Sequence, residues 1–238
     1  MKGLAEILNW KLLKGSHGFP GPAGGTCINE AAIVVAGFPY QEVTSSEDLP
    51  KCFCPVIGTY ALHLNDALPD AERQKLIPFV TRLAGSADTK IVQRQRIELI
   101  VNSVINELLL PALENQVRLA QTRLIGAYRA ATNQTVREAI LDQMWDHMSN
   151  GSVRNCTELA RASLDYMDLD EYGQSISAII DCAMILYSKT GSNKLLVILD
   201  QALKIGKQAE PIEISTIKDR ACKAKADAAL RAALLVGV

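Results

Sequence analysis

The chain lacks a dominant charge sign, is poor in aromatic residues, and has no long uncharged apolar run. Its 25 Lys and Arg nearly cancel 26 Asp and Glu, leaving a net charge of −1. Nucleic-acid-binding surfaces need a basic excess, so this composition argues against a nucleic-acid partner. Aromatic residues make up only 5% of the chain. Sandwiches and barrels lean on β-branched and aromatic side chains, whereas helices pack well with Leu, Ile and Ala, so the composition favours helix. No apolar run approaches the ~18 residues needed to cross a bilayer. The N-terminal stretch mixes Lys2, Glu6, Lys11 and Lys14 into its apolar residues and does not read as a signal peptide. The expectation is a cytoplasmic protein with neither a membrane nor a nucleic-acid partner. Three of the six cysteines, Cys156, Cys182 and Cys222, fall in amphipathic stretches. That placement suits buried thiols in a reducing compartment better than a disulfide framework.

At 48% hydrophobic and 21% charged, the 238 residues suffice for a packed core, which excludes global disorder. Apolar residues recur at helical spacing almost throughout. A helix is expected over residues 3–14, another over 27–36 with Thr26 as N-cap and Gly37 as a left-handed C-cap, and about ten in all, with no strand. Pro78 and Pro111 should each kink or restart a helix. The fold class read from this pattern is all-α: a compact N-terminal helical part over 1–86 with a Gly/Pro-rich loop, followed by an antiparallel helical array over 87–238. The last 35 residues carry a net +3 and residues 88–203 a net −3, so the basic end has an acidic partner within its own chain.

Residues 15–25 hold five Gly and two Pro, which excludes a regular element there. A glycine-rich segment running into a helix start leaves backbone N–H groups without helical partners, at the positive end of the helix dipole. Gly24, Gly25, Thr26, Asn29 and Glu30 are therefore candidate ligand-binding residues for a small anion. No Lys follows the glycines, so this is not a P-loop. Cys27 at the helix start has the position of an activated thiol, with His17 or His63 as base and Asn65 or Asp66 to orient it. The bland alternative is a shaped connector leading into a buried helix whose Cys27 is a small core residue. Cys52 and Cys54 would need both Cys27 and His63 to complete a zinc site, and they lack the spacing of a structural site; no metal is expected.

The run Gly15-Ser-His17-Gly-Phe-Pro-Gly-Pro-Ala-Gly-Gly-Thr-Cys27-Ile-Asn-Glu-Ala-Ala, followed by Ala36-Gly-Phe-Pro-Tyr40, resembles a family of uncharacterised bacterial proteins. Leu49-Pro-Lys-Cys-Phe53, Leu64-Asn-Asp66, Pro78-Phe-Val-Thr-Arg-Leu-Ala-Gly-Ser-Ala-Asp88 and Leu199-Asp-Gln-Ala-Leu-Lys-Ile-Gly-Lys-Gln-Ala209 fit it too. The resemblance implies a signature-bearing N-terminal part and a helical, often Ala-rich C-terminal part, and it implies no reaction. Members often carry an acidic residue where this chain has Ala23, which weakens a metal or acid–base role for the loop.

From these features the leading expectation is a non-enzymatic helical binding or adaptor protein. It would act through a protein partner or self-association, need no cofactor, and use the loop as its recognition or anion-binding element. The alternatives are a thiol-dependent enzyme using Cys27 and a binder of nucleotides or phosphorylated metabolites.

Overall fold

A computed structural model describes residues 11–16, 25–114, 119–148, 151–167, 171–190 and 193–236. The protein is all-α, with one pair of two-residue strands among the described residues. The chain divides into two compact units, Met1–Asp88 together with Leu203–Val238, and Thr89–Ala202. The expected boundary after residue 86 lies close to the first division. The C-terminal segment, read from sequence as the end of the array, instead belongs with the N-terminal unit.

In that first unit, strand β1 (Lys11–Leu12) pairs in parallel with β2 (Gly25–Thr26). Helix was expected at residues 11–14; residues 3–10 of that expected helix lie outside the described residues. The strand wins because distant side chains serve its backbone. Gln74 accepts the Leu12 N–H at 3.0 Å and donates to the Leu12 carbonyl at 2.8 Å. Local helix propensity is a weak prior against such tertiary hydrogen bonds.

Helix α1 (Ile28–Ala36) follows, and its residues 28–35 are all buried. A helix apolar on nearly every face has to sit inside the unit. Cys27 caps it, one residue later than the expected Thr26, and Gly37 closes it at φ 95°. The backbone angle requires glycine there, and a Cβ would also crowd the Arg220 Nε at 3.0 Å.

Then come α2 (Pro55–Ala67), the single turn α3 (Asp70–Arg73), a 3₁₀ segment (Gln74–Phe79) and α4 (Val80–Leu83). The tighter winding coincides with Pro78. The C-terminal helix of the chain (Ile214–Val236) lays Ile217, Ala221 and Ala224 inward, and it contacts α1. Arg220 from this helix donates to the Val35 carbonyl, one of the acceptors left open where α1 ends.

The second unit contains α5 (Lys90–Val104), a π turn (Ile105–Leu109), α6 (Leu110–Glu114), α7 (Leu119–Ala130), α8 (Gln134–Asp146), α9 (Ser152–Asp165), α10 (Tyr172–Thr190) and most of α11 (Asn193–Lys204). The chain-terminal helix is therefore α12. Thr89 and Asn133 cap α5 and α8, with side chains accepting from Val92 and Val136. Asp170 and Gly191-Ser192, which read from the sequence as helix starts, and Asn150, which reads with Gly151 as a stop, lie outside the described residues.

Pro111 explains the π turn. It carries no N–H, so the turn before it loses a ladder donor. Lys194 of α11 fills the gap, its Nζ donating 2.7 Å to the Glu107 carbonyl. Replacing Lys194 by Met keeps the aliphatic stem and removes the donor. The expected cost is about 1–2 kcal/mol in denaturant unfolding. A cost below a few tenths would show that water serves the carbonyl equally well.

Candidate functional site

The start of α1 is organised by one carboxylate. Glu30 stands three residues after the N-cap and is fully buried. Its Oε2 accepts from the Cys27 N–H at 2.8 Å and the Thr26 hydroxyl at 3.2 Å. Its Oε1 accepts from the Ser16 hydroxyl at 2.9 Å and the Val43 N–H at 3.3 Å. The half-buried Tyr40 hydroxyl also hydrogen-bonds to this carboxylate. Ser16, Thr26, Cys27, Glu30 and Tyr40 all belong to the signature run, so much of that signature is one internal hydrogen-bond centre. Cys-x-x-Glu has the spacing of a capping box, with sulfur in place of the usual hydroxyl.

This arrangement corrects the expectation of outward-facing amides. The Cys27 N–H goes to Glu30, the Ile28 N–H to Asn65 Oδ1 at 3.3 Å, and the Asn29 and Glu30 N–H groups to the Cys27 sulfur. The Leu13 N–H donates to the Thr26 carbonyl at 3.0 Å, and a Cβ on Gly25 would lie 1.9 Å from Leu13 Cδ1. Gly25 is thus needed for close strand packing and does not open the backbone to a ligand. The protein's own carboxylate occupies the place an anion would take at the helix N-terminus.

The thiol is correspondingly quiet. Cys27 is fully buried. Burial, followed by the charge of Glu30, drives its pKa far above the ordinary thiol value, against the smaller opposing pull of the Glu30 and Asn29 amides. A raised folded-state pKa means that the native state keeps its proton where the unfolded thiol would lose it. This group's contribution is intact below about pH 8.5 and declines as pH rises past that value. Tyr40 and Tyr128 are raised in the same direction by burial.

Of the residues expected to act with Cys27, His63 is half-buried on α2, and His17 and Gly24 lie outside the described residues. The sulfur accepts from the Glu30 and Asn29 N–H groups, whereas the enzyme reading calls for His17 or His63 as its base. Asn65 and Asp66 are engaged structurally. Asn65 holds Leu13 and Ile28, and Asp66 accepts the Gly15 N–H at 2.8 Å. Asn29 sends its amide to the Gly58 carbonyl at 2.9 Å, joining α1 to α2. Cys54 is buried and Cys52 is half-buried, and no cluster of three or more His, Cys, Asp or Glu suited to a metal occurs among the described residues.

Sequence reasoning missed Arg73 and Gln74. Arg73 is 3% exposed, and its guanidinium donates to the Asn65 and Leu68 carbonyls at the end of α2. One signal was readable: a basic residue shortly after a helix stop can serve the open carbonyls.

The fold and the site together define an all-α protein with a sealed carboxylate centre. No protein-family model, curated protein or solved structure matches the chain. No helix among the described residues is long and apolar enough to cross a membrane.

Proposed function

We propose that the protein is a non-enzymatic helical binding protein that works in the cytoplasm through a protein partner or self-association. One observation carries this reading. Ser16, Thr26, Cys27 and Tyr40 all direct polar groups to Glu30, leaving a neutral buried thiol and occupied helix-start amides, while large apolar side chains remain at the surface. Leu230 and Leu234 of α12 are 63% and 66% exposed. Recognition through packed surfaces fits this distribution better than thiol or anion chemistry. Six free cysteines, four of them buried, agree with a reducing compartment.

Two measurements test the reading. Iodoacetamide at pH 8 should label exposed Cys222 first and half-buried Cys52 next. Cys27 should react at least about 100-fold more slowly than a model thiol, following global or local unfolding. A Cys27 that reacts as fast as a free thiol would overturn the binding reading in favour of the thiol enzyme. Native mass measurement with affinity capture should find a second copy or a retained protein partner. A lone monomer that holds neither would equally overturn it.

A further inference from the structure

We infer that the outer face of α12 is a self-association surface, and that its occupant is the same helix of a second copy running antiparallel. The inference rests on the binding reading above and gives it a partner. The inner face of α12 is spent on Ile217, Ala221 and Ala224. On the opposite side, Ala226, Leu230, Ala233 and Leu234 recur at three- and four-residue spacing, all of them exposed. Exposed leucines scattered singly need no explanation. Here they occupy consecutive turns, with alanines beside them. A face alternating large and small residues interlocks with a copy of itself when one helix is reversed.

Charge decides the direction. Lys223, Asp227 and Arg231 flank this face, are exposed, and make no ion pair among the described residues. An antiparallel pair centred on residues 228–229 seats Leu230 on the partner's Ala226 and sets Arg231 beside the partner's Asp227. Two-fold symmetry repeats both contacts. A parallel pair puts this flank of the two helices on opposite sides of the seam, so Asp227 and the partner's Arg231 do not meet. A lipid surface fits less well, because the face offers only two leucines among alanines and no aromatic residue to seat at a bilayer interface. The face is short beside the ~1,200–2,000 Å² of a standard stable interface, so the association is reversible and concentration-dependent.

The test is sedimentation velocity of the full chain from about 1 µM to a few hundred µM, a range that brackets weak affinities. The wild type should shift from monomer to dimer across it. Leu230→Asp should weaken the dimer at least about tenfold. Asp227→Arg should weaken it too, and Asp227→Arg combined with Arg231→Asp should restore it. All three changes lie at exposed positions, and far-UV circular dichroism checks that each variant folds. A wild-type chain monomeric throughout overturns the inference, as does a dimer indifferent to Leu230→Asp or a charge swap that restores nothing. A monomeric chain that still captures a different protein sinks this surface and leaves the binding reading standing. A fast-reacting Cys27 sinks that reading whatever the mass.

Discussion

Glu30→Ala is expected to destabilise the first unit by about 3–5 kcal/mol, the range for removing one side of a buried polar network. The change takes the acceptor from the Cys27 and Val43 amides and the Ser16 and Tyr40 hydroxyls, several of them away from water, and one of two acceptors from the Thr26 hydroxyl, which keeps the Cys27 carbonyl. Each buried donor left without an acceptor costs about 1–3 kcal/mol before relaxation. Glu30→Gln should be milder, because one acceptor oxygen survives and the new amide faces donors with a donor. The measurement is denaturant unfolding followed by a probe in each unit, since the second unit holds none of these groups. The idea fails if Glu30→Ala costs under about 1 kcal/mol, within the range of ordinary surface changes. A loss of that small size would mean that the five donors find water or one another.

Arg73→Met should cost about 2–4 kcal/mol, the second-largest effect expected. The substitution keeps an apolar stem in the same space and removes the donors to the Asn65 and Leu68 carbonyls. Arg73→Lys should recover little, because an ammonium cannot reproduce the planar fork that reaches both carbonyls. The ion pair to Asp70 contributes much less. That carboxylate is 71% exposed at 2.6 Å from Arg73, and an exposed pair is worth about 0–1 kcal/mol. Asp70→Asn is the matching control. If Asp70→Asn and Arg73→Met cost the same, the surface pair and not the carbonyl fork is what Arg73 supplies. Amide hydrogen exchange should locate the damage at the end of α2 and spread it to β1, since Asn65 joins the two.

Much of the helical frame was legible in local signals. Gly37 adopts the positive φ that ends a helix, as its position suggests, and Gly85 and Gly206 do the same after α4 and α11. Pro78 and Pro111 each disturb the helix they interrupt, through the missing N–H that any proline brings. The apolar run Ala31–Val35 announced a buried helix, and α1 is one. The candidate site was legible in its membership and misread in its direction. Ser16, Thr26, Cys27, Glu30 and Tyr40 stand in the signature, where Glu30 reads as a candidate ligand-binding residue. Nothing local says whether a carboxylate three residues into a helix accepts from its own chain or from outside.

By itself the sequence determined the helical class, the interruptions in it and the residues that form the centre, because caps, proline breaks and apolar spacing act within a turn or two. Only the tertiary structure decided that residues 11–12 form a strand, since the side chain that serves Leu12 lies 62 residues away. It also decided that the last helix joins the first unit, through a hydrogen bond spanning 185 residues. Above all it turned Glu30 and the groups bonded to it inward. Where a hydrogen bond goes depends on which distant groups the fold brings within about 3 Å, and no pattern along the chain encodes that distance.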